Sequence, residues 1–170
     1  NNLLEISKVE ATSEMRKEKI RIDEMLYEGI QELGILHNDF IFEFTLHNNI
    51  VDDFQLTVSG NPRLLKLCFM NLARNCIRYS NNNRAAIKLA NFSSGLSIQF
   101  ENNGATVAES EKQYLFSHFF RGDNSQGKSG FGLGLVLCYK IINLHKGKIN
   151  YQSPGPMKNV FEVWLPVVAQ

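Results

Sequence analysis

The sequence predicts an α+β domain, a two-layer α/β sandwich with helices on one face of a mixed, mostly antiparallel sheet. Three observations lead there. Strand and helix patterns follow one another without the regular alternation of a parallel fold, strand patterns are joined in pairs by turn residues, and two long apolar-faced helical patterns need a surface to cover. At 170 residues the chain fits one compact domain plus a short appendage, about 150 residues being the usual size of one domain.

In residues 1–18, Leu3, Leu4, Ile6 and Val9 recur among polar residues before a charged tract through Lys19, the pattern of an amphipathic helix end and a hinge. Such a face cannot be buried by the segment alone. Residues 20–22 read as a short strand, and Asp23 as the cap of a helix carrying Leu26, Ile30 and Leu33. Phe40, Phe42 and Phe44 alternate with Ile41, Glu43 and Thr45 as an aromatic strand, and residues 54–58 read as a short strand expected to pair with it.

Pro62, suited to a first helical turn, opens a long helix to Tyr79, which Asn81, Asn82 and Asn83 close. Residues 85–90 and 96–101 form a hairpin about Ser93, Ser94 and Gly95. Residues 102–131 are polar and glycine-bearing, with one short helical stretch near 110–116. A connection that long in a compact domain is usually functional, and it reads as a lid. Residues 133–145 form a strongly apolar helix, and strands at 148–152 and 160–165 close the sheet around Pro154, Gly155 and Pro156.

Composition limits the function classes. Hydrophobic residues at 44% and charged residues at 21% describe a globular chain and exclude a disordered tail. A net charge of +1 gives no bulk attraction to nucleic acid or to a membrane surface, so any anion site must be local. No apolar run approaches the roughly 18 residues that span a bilayer, and the Asn1 start is that of a piece excised from a longer protein. Cys68, Cys76 and Cys138 sit in apolar stretches without CxxC spacing and read as buried free thiols of a reducing, cytoplasmic compartment. His37, His47, His118 and His145 make no metal-ligand pattern and read as structural.

On the helix from Pro62, Asn71, Asn75 and Arg78 stand at i, i+4 and i+7 and share one face, flanked by Arg74 and Tyr79. Earlier turns of that face carry Leu64, Leu67 and Cys68, so the stripe turns from apolar to amide and guanidinium. An amide oxygen of Asn75 can complete the shell of a phosphate-bound Mg²⁺ without adding charge, Arg78 can pair with phosphate oxygens, and Tyr79 can flank a base. A solvated face with two chance asparagines explains the stripe geometry equally well.

Two glycine readings compete downstream. Residues 122–129, GDNSQGKS, satisfy the phosphate-loop pattern G-x-x-x-x-G-K-[ST]. That loop needs a buried strand before it and a helix opening at Lys128 and Ser129, yet Gly130, Gly132 and Gly134 follow. Alternatively residues 130–135, GFGLGL, are the working loop, with the apolar helix beginning inside it and its free N–H groups facing an anion.

In order and spacing these segments resemble the ATP-binding domain of sensor histidine kinases, within the group that includes gyrase-type and chaperone ATPases. NLARNCIRYS (71–80) looks like the family's N box, FSHFFRGDNS (116–125) like its phenylalanine box followed by an Arg, and GFGLGL like its second glycine box. LLEISKVEA (3–11) is similar to the end of the second dimerisation helix, and SGNPRLL (59–65) to the lead into the N-box helix, with Asn61 where Asp is common. The first glycine box, D-x-G-x-G in the family, aligns with Asn102, Asn103, Gly104, Ala105 and Thr106.

The resemblance implies a Bergerat-type fold, with residues 1–18 as the end of the dimerisation helix and hinge and 19–170 as the catalytic domain. It implies ATP and Mg²⁺ as cofactors, Asn75 as the metal ligand, and Asn75, Arg78 and Arg121 as the catalytic set that neutralises phosphate charge. Asn71 would support the site, Tyr79, Asn102, Gly104 and Thr106 would form the base side, and Gly130, Gly132, Leu133, Gly134 and Leu135 would wrap the triphosphate. Phe119 and Phe120 would anchor the lid.

The γ-phosphate would go to a histidine on the upstream dimerisation helix, not in this chain. The implied partners are those helices in a homodimer and, indirectly, a response regulator, with no nucleic acid and no membrane contact by this segment. Asn102 lacks the charge-assisted acceptor of an Asp, so adenine affinity should fall of order tenfold. Thr106 adds bulk and resists φ > 0. These two departures leave open a degenerate domain that relays a signal without turning over ATP.

Overall fold

A computed structural model describes residues 16–92, 95–117, 120, 122 and 132–168. Among them β1 (Glu18–Arg21), α1 (Ile22–Leu36), β2 (Ile41–Leu46), β3 (Thr57–Gly60), α2 (Pro62–Tyr79), β4 (Arg84–Phe92), β5 (Gly95–Asn103), α3 (Gly134–Leu144), β6 (Lys148–Gly155) and β7 (Lys158–Pro166) follow in chain order. The larger sheet has the order β2-β4-β5-β7-β6, and β1 with β3 forms a separate antiparallel pair. Only β2 with β4 runs parallel within the larger sheet as described, so the mixed, mostly antiparallel expectation holds.

Alternation along the strands separates two faces. Ile87, Leu89, Leu96, Ile98, Phe100, Val163 and Leu165 point into the core, where the helices lie. Phe69 of α2 stacks on Phe100 of β5 with ring centroids 6.1 Å apart. Cys138 of α3 donates its thiol to the carbonyl of Cys68 on α2 at 3.4 Å, which locks the two helices side by side. The opposite face is polar. Ser97 Oγ and Gln99 Nε2 both donate to Glu162 Oε1, at 2.6 and 3.2 Å, and Glu101 takes Lys88 and Lys158 at 2.9 and 3.0 Å. Burial pushes Glu101 up, but its two lysine bonds prevail and hold the carboxyl below its ordinary value.

Three sequence expectations need correction. Asp23 does not cap α1: the cap residue is Arg21, whose guanidinium takes both Asp23 oxygens at 3.0 and 2.8 Å and leaves none for the helix N–H groups. Residues 54–58 are not one strand, because Asp52 and Gln55 form a reciprocal capping box that winds Asp53–Leu56 into a 3₁₀ turn before β3 begins. Nor do β2 and β3 pair. β3 is taken by β1, while β2 joins β4 across the intervening α2, a crossover long enough for parallel pairing.

The thiols of Cys68, Cys76 and Cys138 are free and buried as expected. Burial, with the negative charge of Glu101 added, pushes Cys76 up to about 12, which keeps it protonated and inert.

Candidate functional site

The long helix α2 begins as its sequence dictates. Pro62 occupies the first turn, and the Asn61 side chain accepts the N–H of Leu64 at 3.1 Å. The backbone N–H of Asn61 itself donates to His145 Nε2 at 2.9 Å, so the end of α3 holds the start of α2. His145 Nδ1 contacts the Ile141 carbonyl at 2.7 Å and therefore carries the proton in the neutral ring.

At its other end α2 meets the loop that leaves β5. Ser80 caps the helix through its N–H to the Cys76 carbonyl, and the N–H of Asn81 donates to the Asn103 carbonyl at 2.8 Å. Gly104 fills the angle between them: a Cβ there would lie 1.9 Å from the Tyr79 carbonyl oxygen. Close approach of backbone, not an unusual φ, makes glycine necessary at this point.

Two residues that the sequence did not single out fix the same loop from below. Asn159 of β7 is buried and donates Nδ2 to the carbonyls of Gly104 at 3.2 Å and Ala105 at 3.4 Å. Its Oδ1 accepts the hydroxyl of Tyr151 at 2.7 Å, and that hydroxyl accepts the N–H of Val107 at 3.0 Å. Burial raises Tyr151 above the usual phenol range, and the Val107 bond works against that rise. A lone Asn in an apolar strand and a Tyr at half-buried spacing carry no pattern that points to a loop clamp.

The two amides of the predicted site that are tucked inward lack partners. Nδ2 of Asn71 on α2 and Nδ2 of Asn102 on β5 are buried and make no hydrogen bond. Buried polar groups are paired in the great majority of cases, so each orphan asks for a ligand group or water. Asn71 faces the start of α3, its Oδ1 lying 3.9 Å from where a Cβ of Gly134 would stand. No side chain caps α3, whose cap residue is Leu133, and Gly132 before it has φ 68°, a left-handed conformation suited to glycine.

The predicted residues thus fall into two groups joined by α2. Asn71 stands beside Gly134 at the start of α3, which Gly132 and Leu133 precede and Leu135 follows in the chain, and Gly104 stands against Tyr79 and Asn102, with Thr106 two residues further along the same loop. Residues 71 and 79 are separated by about 12 Å along the helix axis at ~1.5 Å per residue. Asn75 lies between, half-buried, and Arg78 is on the exposed side. Arg121, Gly130 and Phe119 lie outside the described residues. Thr106 does not take a left-handed φ, and its hydroxyl reaches the Pro156 carbonyl at 3.4 Å, so the feared loop strain at this residue does not arise.

The described residues also weigh against the phosphate-loop reading. Residues 109–114 form a 3₁₀ turn and 115–117 a turn, so no described strand leads into Gly122, and the next described helix starts at Gly134. No group of three or more His, Cys, Asp or Glu among the described residues could hold a metal ion. No described helix is long and apolar enough to cross a membrane.

Residues 60–169 match the family model described as histidine kinase-, DNA gyrase B-, and HSP90-like ATPase. The heme sensor protein HssS of Staphylococcus haemolyticus is 37% identical over 108 residues, covering 63% of this chain and 23% of that protein. The adaptive-response sensory kinase SasA of Crocosphaera subtropica is 30% identical over 142 residues, covering 81% of this chain and 37% of that protein. The chain therefore spans 23% and 37% of the length of these curated relatives. Among solved structures, the nucleotide-free catalytic domain of histidine kinase ThkA superposes with a TM-score of 0.74 at 26% identity, over 91% of this chain and all of that one.

Proposed function

From the premise that this chain belongs to the histidine kinase-, DNA gyrase B- and HSP90-like ATPase family, and so carries an ATP-binding domain, we propose that it is the Mg²⁺-ATP-binding catalytic domain of a two-component sensor histidine kinase. The observation that carries this reading is the pair of orphaned amides, Asn71 beside the start of α3 and Asn102 beside the clamped loop, at the two ends of the α2 stripe. Residues 1–18 are then the end of a dimerisation helix and hinge, and 19–170 the catalytic domain, working in the cytoplasm.

In this reading the triphosphate lies along α2 toward the uncapped N-terminus of α3, whose N–H groups and partial positive charge favour an anion. Gly132, Leu133, Gly134 and Leu135, with Gly130, bring backbone close to it. Arg78 and Arg121 pair with phosphate oxygens. Tyr79, Asn102, Gly104 and Thr106 line the base.

The donor set is compatible with Mg²⁺: the protein would offer the neutral amide oxygen of Asn75 to a cation that keeps waters and takes its other ligands from phosphate oxygens. When bound, the ion neutralises the charge on the β- and γ-phosphates. The chain supplies positioning and charge, and no nucleophile. The γ-phosphate passes to a histidine on the dimerisation helices, in a homodimer, and from there to a response regulator.

Asn102 also supports a second reading, a domain that relays signals with weak or no nucleotide binding, since a neutral amide holds adenine less tightly than a carboxylate. Calorimetric titration of the chain with ATP in the presence and absence of Mg²⁺ separates the two. Saturable, Mg²⁺-dependent heat supports the kinase reading, and no heat up to millimolar nucleotide would sink it.

A further inference from the structure

We propose that Asn102 reads the purine edge with a donor and an acceptor together, so that this site takes guanosine and inosine triphosphates as well as ATP. The inference rests on the nucleotide site proposed above and concerns which bases that site admits.

Asn102 is 5% exposed and lies at the end of β5, on the helix-facing side that also carries Phe100. Its cross-strand neighbour is Asn159. The two amides differ in employment. Asn159 spends Oδ1 on Tyr151 and Nδ2 on the Gly104 and Ala105 carbonyls, which fixes its orientation and leaves nothing for Asn102. Asn102 Nδ2 has no partner, and it lies beside Gly104, which packs directly against the Tyr79 carbonyl at the end of α2.

An amide presents an acceptor oxygen and donor hydrogens side by side, and it does so whichever way the group is turned. The adenine edge shows an amino donor next to a ring-nitrogen acceptor. Guanine and hypoxanthine show the reverse, a carbonyl acceptor next to a ring N–H donor. Turning the Asn102 amide over matches it to either edge. A carboxylate at residue 102 would only accept, which suits the adenine amino group and repels the hypoxanthine carbonyl, whereas guanine adds a 2-amino donor beside its N1–H that a carboxylate can accept, so ITP is the discriminating nucleotide.

The test is calorimetric titration of the whole chain with Mg²⁺ and ATP, GTP or ITP in turn, on the native protein and on Asn102→Asp. The native chain should bind GTP and ITP within about tenfold of ATP, and Asn102→Asp should move the ATP-to-ITP ratio toward ATP by about tenfold or more, the difference between a neutral and a charge-assisted bond. Asn102→Ala, which buries no charge, should weaken all three nucleotides by a similar factor and serves if the Asp variant does not fold. ATP binding with GTP and ITP more than about tenfold weaker, or an ATP-to-ITP ratio unmoved by Asn102→Asp, or nucleotide affinities unmoved by Asn102→Ala, overturns this inference and leaves the nucleotide site standing. Failure of all three nucleotides to bind overturns both.

Discussion

The imidazole of His145, near the end of α3, accepts the backbone N–H of Asn61 at 2.9 Å and so ties the start of α2 to a helix 84 residues away in sequence. The ring is 4% exposed. Because Nδ1 holds its proton against the Ile141 carbonyl, only a neutral ring can serve both contacts. Burial lowers the His145 pKa, the Ile141 bond opposes that shift, and the positive charge of Lys17 adds to it. With the folded-state value below the unfolded one, the stabilisation is complete above about pH 6.5 and is lost as pH falls through the folded value. Urea unfolding between pH 7.5 and 5 should show a loss that His145→Gln largely removes, the variant being weaker at neutral pH by about 1–3 kcal/mol.

Gly104 and Gly134 make opposite predictions for the same substitution. At Gly104 an added Cβ meets the Tyr79 carbonyl oxygen at 1.9 Å, a backbone atom that cannot step aside. Gly104→Ala should cost about 2–3 kcal/mol in chemical denaturation. At Gly134 the nearest atom is 3.9 Å away and φ is ordinary, so Gly134→Ala should be neutral or stabilising by up to about 1 kcal/mol.

Tyr151→Phe removes one hydroxyl and strands two partners, the Val107 N–H and Asn159 Oδ1. The expected loss is about 1–3 kcal/mol. If the loop from Gly104 forms the base side, the same variant should also weaken ATP binding, since Asn159 would no longer be held against the Gly104 and Ala105 carbonyls. A drop in melting temperature with unchanged nucleotide affinity would separate the loop from the site.

Asn75→Ala should leave the fold intact, because Asn75 is only half-buried, yet it should abolish Mg²⁺-dependent ATP binding. Lys128→Ala should leave that binding in place. The reverse outcome would return the phosphate-loop pattern to consideration, and circular dichroism with calorimetry on both variants decides it.

Much of the fold could be read from local chemistry. Pro62 and Asn61 announce α2 to the residue, and the turn-forming residue types Ser93, Ser94 and Gly95 in the sequence announce the antiparallel pairing of β4 with β5. The errors arose where a side chain chose a partner that spacing does not reveal: Asp23 serves Arg21 instead of the helix, and Asp52 with Gln55 winds a turn out of an apparent strand. The pairing of β2 with β4 was hidden because parallel partners are set by the crossover between them and not by neighbouring residues. In the candidate site, the stripe of Asn71, Asn75 and Arg78 was legible from helical spacing. The support from Asn159, Tyr151 and His145 was not, since each acts through one long-range bond.

The central claim is that a nucleotide spans from Asn71 to Asn102 along α2. It is tested most directly by following the side-chain amide resonances of the two asparagines in ¹⁵N-labelled protein as Mg²⁺ and a non-hydrolysable ATP analogue are added. Both amides, which lack hydrogen-bond partners on Nδ2 in the structure, should shift together and saturate at one nucleotide per chain. Saturable binding that leaves both resonances in place would contradict the account.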